Sequence, residues 1–315
     1  MARERRQTIT QQIMTDVIAT QRGRSHDLSR RQYVRDCRRF VKFCRERFDA
    51  RSFEECRPHI QAYSDHLQAE GYAASTIHTY ISAVCAVFGE DLGSICKPIR
   101  YTADYVRGRE PLCGGVKSDL GDPKWKPIVD FARAVGIRRD ELMHLCGRDL
   151  VTDESGHLCV YVSRGKGGKP QWQRISDGSE KLVRRYFEKV PPNDRLFSRE
   201  MFQNDLNFHS LRAACAKEYY ENELRKIRED SGYAEGLESE IRARWAKCNR
   251  DRNGKPRRFR EEEIRGWYTL RGKNRELAQQ RGLPLRYNKL ALLATSMLKL
   301  LHWRNDVTVA SYILA

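Results

Sequence analysis

Apolar residues recur at spacings of three and four along most of this chain, which restricts it to a mainly helical fold. In the first such stretch they are Leu28, Tyr33, Cys37, Phe40, Val41 and Cys44. This spacing puts the apolar side chains on one helix face and leaves arginine and lysine on the other. A second helix is predicted from Pro58 to Gly71, and a third from an N-cap at Ser75 to Gly89.

The helical spacing is lost between residues 149 and 176. Two short β-branched and aromatic runs, Cys159–Val162 and Gln171–Ile175, flank a glycine-rich turn at 165–168. The turn at 153–156 allows one more strand before them. We therefore expect a mainly α fold with a small antiparallel β-sheet.

The length of 315 residues predicts two folding units. The expected organisation is a flexible basic N-terminus over 1–25, a helical module over 26–95, a linker over 96–115 and a second domain over 116–315. Helical spacing in the second domain, through Leu224, Ile227, Leu237 and Ile241, indicates additional helices there.

Basic residues dominate the charge. The chain carries 43 arginines and 16 lysines, and its formal net charge is +17. Arginine presents a planar fork that binds phosphate with two hydrogen bonds, so the excess favours a nucleic-acid-binding protein. A solvated basic surface, or one that meets anionic lipid, is the alternative.

The sequence offers no sign of a metal site or a membrane segment. Its ten cysteines are scattered, with no C-x-x-C pair and no zinc-ligand spacing. The apolar runs are far shorter than the roughly 20 residues that span a bilayer. We expect reduced, mostly buried thiols, no structural metal and a cytoplasmic protein.

Five short segments carry candidate catalytic residues. Taken singly, each has an ordinary interpretation: a surface arginine at Arg138, a hairpin tip at Lys166, a surface pair in the His-Ser-Leu-Arg segment, a core histidine at His302, and Tyr312 near the end. Their order is more informative. A metal-free phosphodiester transesterification needs a nucleophile, guanidinium groups and proton donors, and these residues supply all three.

This order resembles that of the tyrosine recombinases of the phage-integrase type. Gly-Ile-Arg-Arg-Asp-Glu-Leu is similar to their first arginine box, Gly-Lys-Gly-Gly-Lys to their lysine hairpin, and His-Ser-Leu-Arg to their His-x-x-Arg box. Leu-Leu-His-Trp-Arg-Asn-Asp-Val-Thr followed by Tyr312 resembles their last segment. The helical module resembles their SAM-like core-binding domain, so the resemblance covers about residues 28–315.

The resemblance implies a role for each residue. Arg138 and Arg212 would clamp the scissile phosphate, and Lys166 would protonate the leaving 5′-oxygen. Tyr312 would attack and form a 3′-phosphotyrosyl link, with a free 5′-hydroxyl as the other product. His209 and His302 would help to activate the tyrosine and hydrogen-bond the phosphate.

Two further residues of the first arginine box are interpreted by the same resemblance. Glu141 would brace Arg138, while Arg139 would be a phosphate or surface contact. Because the covalent link stores the bond energy, the resemblance implies neither ATP, metal nor any other cofactor.

The implied partner is double-stranded DNA at recombination sites, and the implied assembly is a homotetramer in synapsis that is a monomer or dimer when free. Accessory DNA-bending or directionality factors are compatible with it, in a prokaryotic or phage-like setting at the nucleoid. Integration or excision of a mobile element is the main hypothesis. A resolvase or invertase, a non-catalytic DNA-binding regulator and a type IB topoisomerase are the alternatives. The DNA contacts expected outside the site are Arg30, Arg31, Arg35, Arg38, Lys42, Thr76, His78, Arg139 and Arg164.

The chain departs from the family pattern in two places. Leu301 stands where the family usually has glycine before the last histidine. The interval between Arg212 and His302 is also far longer than usual, which predicts a helical insertion at about 219–286. That insertion either pads the fold or makes an extra contact. Our hypothesis is that it ties subunits together through Trp245 and Trp267, because only three residues follow Tyr312. The competing interpretation is a DNA arm formed by Arg257, Arg258 and Arg260.

Overall fold

A computed structural model describes residues 8–20, 27–101, 104, 120–163, 165, 170–248, 255 and 257–314. The chain forms two compact units, Met1–Tyr105 and Val106–Ala315. Both are built mainly of helices, with small antiparallel sheets in the second, which confirms the predicted fold class. Within the described residues, the helices are all too short or too polar to cross a bilayer.

The first unit is entirely helical where it is described. Its helices are α1 (Ile9–Thr20), α2 (Asp27–Phe48), α3 (Phe53–Cys56), α4 (Ile60–Ala69), which follows a 3₁₀ turn at Arg57–His59, and α5 (Ala74–Phe88). Phe40 lies at the centre of the core, where its ring centroid is 5.1 Å from that of Phe88 and 5.3 Å from that of Tyr63. The predicted apolar face of α2 therefore forms one wall of this core.

Two expectations for this unit are corrected. The sequence predicts a flexible segment over 1–25, but α1 forms there and buries Ile9, Ile13 and Val17 in the core. The spacing of these three residues by four is itself helical, and the short run hides it. Helix α5 begins after Ala73, without a side-chain cap, so the predicted N-cap at Ser75 is wrong.

The second unit combines helices with two sheets. Its helices are α6 (Lys126–Val135), α7 (Arg139–Leu142), α8 (Glu180–Phe187), α9 (Phe208–Glu229), α10 (Ser231–Cys248), α11 (Gly272–Gln280), α12 (Lys289–Ala294) and α13 (Asn305–Thr308). Short 3₁₀ turns lie at Gly147–Asp149, Arg199–Phe202 and Glu261–Glu263. π-helical turns follow α12, at Thr295–Lys299, and α13, at Val309–Ile313.

The predicted three-stranded sheet is present. Strands β1 (Leu150–Thr152), β2 (Leu158–Val162) and β3 (Gln171–Arg174) pair antiparallel in that order, and Cys159 lies opposite Arg174. A second sheet pairs β4 (Trp267–Thr269) with β5 (Arg286–Asn288), and the sequence does not predict it. Both of its strands are three residues long, too short to show a period of two.

The segment expected as an insertion is part of the core of the second unit. Tyr219, Leu237 and Ile241 pack with Leu293 and Leu298 in one apolar cluster. This burial shows that the helices are integrated into the fold.

Trp245 is half-buried, which differs from the exposed anchor expected from the sequence. Its ring contacts Phe259 and Trp303 edge to face, and its Nε1 donates to the Arg257 carbonyl at 2.8 Å. Trp267 is half exposed, at 50%. Of the two tryptophans, only Trp267 presents a large apolar surface to solvent.

A fully buried lysine joins three segments of the second unit. Lys299 has no exposed surface, and its Nζ donates to the carbonyls of Ala134 at 3.1 Å and Arg174 at 2.8 Å. Burial lowers the pKa of this lysine. The two carbonyls and the Cys215 thiol offset part of the cost of burying this amine.

Leu301 adopts a left-handed backbone conformation, with φ at 55°. This region costs an L-residue roughly 1–2 kcal/mol, and glycine avoids that cost. The departure from the family's glycine therefore has a backbone consequence. The chain holds a bulky residue in a strained conformation directly before His302.

This strain predicts an inverted order of stability for two variants of Leu301. Leu301→Gly and Leu301→Ala lose the same side-chain packing, but only alanine keeps the Cβ that opposes the left-handed conformation. Glycine loses more conformational entropy on folding than alanine does, which offsets part of the strain that it relieves. We therefore expect the glycine variant to be more stable than the alanine variant by about 0.5–1 kcal/mol in urea unfolding.

The control is Ala214→Gly at an exposed position in the middle of α9. There, glycine should destabilise by about 1 kcal/mol, because the backbone is helical. An alanine variant at 301 as stable as the glycine variant would contradict the strain at Leu301.

Candidate active site

Arg212 is the most buried residue of the candidate site, with 1% of its surface exposed. It lies on α9, whose N-cap Asn207 accepts a hydrogen bond from the backbone of Ser210 at 3.1 Å. Its guanidinium donates to the carbonyl of Gly136 and, at 2.8 Å, to the carbonyl of Leu300. One side chain thus ties α9 to the segments that precede Arg138 and His302.

Arg138 follows α6 after the left-handed Gly136 (φ 70°), where a Cβ would lie 2.8 Å from the sulfur of Cys215. Its Nη1 is 2.6 Å from an oxygen of Glu141, and its backbone amide donates to the other oxygen at 3.1 Å. Glu141 is buried. The structure therefore brings Glu141 against Arg138, while the guanidinium stays partly exposed.

Arg139 is turned to a different partner. Its Nη2 donates to the carbonyl of Phe202 at 2.5 Å, and its guanidinium lies over the Phe202 ring. These contacts hold Arg139 against the protein and away from the Arg138–Glu141 pair.

Tyr312 lies where the other candidate residues meet. It sits on the π-helical turn Val309–Ile313, and its ring centroid is 5.3 Å from that of His209 and 5.9 Å from that of His302. The guanidinium carbon of Arg212 is 5.6 Å from the same ring. Residues far apart in the sequence therefore surround one phenol.

His302 is held by its backbone and not by its ring. Its amide donates to the Ser296 carbonyl at 2.8 Å, whereas both ring nitrogens are buried without a hydrogen-bond partner. Burial, together with the charges of Arg212 and Arg138, lowers the pKa of this histidine to about 4. The imidazole is therefore neutral at pH 7 and able to accept a proton.

The electrostatics of the cluster favour an anion. Burial lowers the pKa of Arg212, Arg138 acts in the same direction, and Tyr312 opposes them. Two guanidinium groups against the single carboxylate of Glu141 leave a local excess of positive charge beside the phenol. Such an arrangement can stabilise charge that develops on a phosphate.

Lys166 and Arg164 lie outside the described residues. Strand β2 ends at Val162 and strand β3 begins at Gln171, and these two residues are paired. In the sequence, both basic residues therefore fall between two paired strands.

A basic groove of 900 Å³ lies in the first unit, between α1 and α2. Arg31, Arg35, Arg38 and Lys42 expose their side chains there, and Arg30 is half-buried. Arg39 also lines the groove, although it is not among the DNA contacts predicted from the sequence. Its position four residues after Arg35 is the signal that could have found it.

The two other candidate contacts of the first unit lie on α5. Thr76 is half-buried. The Nε2 of His78 is 2.9 Å from the carbonyl of Pro98, so this ring nitrogen has a partner within the protein.

The comparisons with known proteins bear on the first unit most directly. Residues 15–90 match the family description "Phage integrase, N-terminal SAM-like domain". Among curated proteins, no sequence matches the chain.

A solved structure titled "Crystal structure of XerA recombinase" is similar to this chain. The match covers 67% of this chain and 84% of the chain in that structure. The two are 16% identical, and the TM-score is 0.23, which is too low to carry an argument.

The matched residues cover α2 and the last part of α1, the two helices that line the arginine-rich groove. In the second unit, the candidate residues follow the order of the recombinase motifs, and three of them surround the phenol of Tyr312, namely His209, Arg212 and His302. The match shows an integrase-type SAM-like domain over residues 15–90, and the order of the candidate residues in the second unit is similar to that of the tyrosine recombinases.

Proposed function

We propose that this protein is a site-specific recombinase that cleaves and rejoins DNA through a 3′-phosphotyrosyl intermediate. The observation that carries the proposal is the placement of Tyr312 against His209, His302 and Arg212. A tyrosine used only for packing would not require two histidines and a buried guanidinium around its ring. Integration or excision of a mobile element is the proposed use of this chemistry.

In the proposed reaction, the Tyr312 oxygen attacks the scissile phosphorus. A bond forms between Oη and phosphorus, and the bond from phosphorus to the 5′-oxygen breaks. The phenolic proton passes to a neighbouring imidazole, that of His209 or His302, whose ring centroids lie 5.3 and 5.9 Å from that of Tyr312. Lys166 gives its proton to the departing 5′-oxygen, and a 5′-hydroxyl leaves.

The two arginines stabilise the transition state in this proposal. The phosphorane carries more negative charge on its non-bridging oxygens than the phosphodiester does, so guanidinium groups bind it more strongly. Arg138 is held for this task by Glu141, and Arg212 by two backbone carbonyls. Because the phosphotyrosine conserves the bond energy, a 5′-hydroxyl can reverse the step and rejoin the strand without a nucleotide cofactor.

The basic groove of the first unit supports a division of labour. We propose that the first unit binds duplex DNA by phosphate contacts and that the second performs the chemistry. The tetramer on DNA and the accessory factors are further parts of the proposal.

The covalent step predicts an adduct at Tyr312. A pool of nicked duplexes that tile the DNA flanking the gene, incubated in EDTA, should yield an SDS-resistant protein–DNA band. Tyr312→Phe should abolish the band, because phenylalanine has no nucleophilic oxygen. Tyr268→Phe, which alters another half-buried tyrosine of the second unit, is the control and should leave it intact. An adduct that survives in Tyr312→Phe, or one that strictly needs added metal, would reject the mechanism.

The state of His302 predicts a histidine that stays neutral in the DNA-free protein. Because its pKa is lowered to about 4, its ring signals should not titrate between about pH 5 and pH 8 in NMR spectra of ¹⁵N-histidine-labelled protein. His302→Gln identifies the signals by their loss. A midpoint near the ordinary value of 6.5 would show that the ring is hydrated and not buried between the arginines.

The arginine-lined groove predicts salt-sensitive binding. The logarithm of affinity for duplex DNA should fall linearly with the logarithm of salt concentration, by about 0.9 per phosphate neutralised. Replacing Arg35 and Arg38 together by alanine should reduce that slope by about two phosphate contacts. Arg51→Ala removes an exposed arginine that is paired with Asp49, and the slope should not change. Equal slopes in the unaltered protein, the double variant and Arg51→Ala would show that the groove does not contact DNA phosphates.

A further inference from the structure

Helix α10 faces the three-stranded sheet across a cavity. The cavity measures 270 Å³, and its walls include Thr152 and Trp172 on the sheet side and Ala243 on the helix side. Close apolar packing does not fill this space. Side chains long enough to span it must therefore make the connection between helix and sheet.

Four charged side chains span it. Asp153, which follows β1, accepts from Arg174 of β3 at 3.2 Å and from Arg244 of α10 at 2.7 Å. Glu240 of α10 also binds Arg174, and it lies 3.5 Å from Arg244. The four groups thus alternate in sign, with two contributed by the sheet and two by the helix.

The sheet side of this network is buried. Asp153 and Arg174 expose 6% and 7% of their side chains. Burial alone would raise the pKa of Asp153, but the backbone amide of His157 and the charges of Arg174 and Arg244 hold it below its ordinary value. A charge that is buried without a partner is costly. Removing one member of this network would therefore strongly destabilise the arrangement of the others.

The helix side is anchored in the core. Leu237 and Ile241 of α10 pack with Leu298, in the turn that leads to His302. The carbonyl of Arg174 also accepts from Lys299 at 2.8 Å. The far end of β3 is therefore held from two sides, by the ion pair to α10 and by the hydrogen bond from Lys299.

We propose that Glu240 and Arg244 are positioning residues that fix the β2–β3 strand pair, between whose strands the sequence places Lys166. This inference rests on the proposed function, in which Lys166 protonates the leaving oxygen. It gives the segment between Arg212 and His302 a catalytic purpose within its own subunit.

The strand pairing explains how a contact at Arg174 acts on the other end of the strands. Cys159 pairs with Arg174 at the anchored end, and Val162 pairs with Gln171 at the end next to the lysine. Hydrogen-bonded strands move together, so a rotation at the anchored end is carried along the pair to Val162 and Gln171. A displacement of about 1 Å at a catalytic group can lower a rate about 100-fold.

The affected step can be isolated by its chemistry. When the bond between phosphorus and the 5′-oxygen breaks, that oxygen must receive a proton. A substrate with sulfur in place of the bridging 5′-oxygen releases a thiolate, which is stable without a proton because thiols have a pKa of about 8.5. Loss of proton donation therefore slows the oxygen substrate and spares the sulfur substrate.

The experiment compares cleavage rates on these two substrates, using the duplex that gives the Tyr312 adduct. Arg244→Met should lower the rate on the oxygen substrate by about 10-fold or more, since general acids contribute about 100- to 10,000-fold. On the sulfur substrate, it should stay within about threefold of the unaltered protein. Arg244→Lys, which keeps a cation near Asp153, should recover part of the loss.

Arg242→Met is the matched control. It removes the same charge from the same helix, but Arg242 pairs with Glu238 and Glu261, not with the sheet residues Asp153 and Arg174. Its rates should stay within about threefold on both substrates. If Arg244→Met does not fold, Glu240→Gln replaces it with the same expectation.

The outcomes separate the inference from the proposed function. Equal losses on both substrates, no loss at all, or the same loss in Arg242→Met would overturn the positioning role. Lys166→Ala serves as the reference and should also be rescued by sulfur. If it is rescued and Arg244→Met is not, only the inference fails. If sulfur does not rescue Lys166→Ala, the role of Lys166 in the proposed function fails as well.

Discussion

The hydrogen bonds of Arg212 with two backbone carbonyls are the contacts on which the candidate site depends. A buried guanidinium costs several kcal/mol unless its protons find acceptors. Here, the carbonyls of Gly136 and Leu300 accept them. Those carbonyls lie two residues before Arg138 and two before His302, so the hydrogen bonds that stabilise the charge also fix the backbone beside two other site residues. Loss of Arg212 would remove a charge and release both segments.

The long segment after Arg212 also contacts the core and the sheet of the second unit. Its helix α10 contributes Leu237 and Ile241 to the cluster that contains Leu298 and, through Glu240 and Arg244, reaches the sheet. A segment that merely padded the surface would not bury these residues. An arm reaching towards DNA or another subunit would not need its charges directed inward.

The sequence predicts the helical class, the three-stranded sheet and the order of the site residues, because helical spacing and catalytic chemistry both restrict residue types locally. It does not predict the π-helical turn that carries Tyr312, since that turn arises from packing between distant segments. Trp245 was expected to be an exposed interface residue, but contacts with Phe259 and Trp303 partly cover it. Leu301 shows the middle case: the sequence reveals the missing glycine, and only the backbone shows the strain.

The unpaired nitrogens of the site have a consequence for how stability and activity are balanced. Both ring nitrogens of His302 and the Nε of Arg212 are buried without a hydrogen-bond partner. Each such group costs about 1–3 kcal/mol of folding free energy. Selection for thermal stability alone would replace these side chains by apolar ones and lose the proposed chemistry. The second unit therefore carries a stability deficit that the phosphate oxygens of DNA would relieve under the proposed function, so DNA would stabilise the fold as well as serve as the substrate.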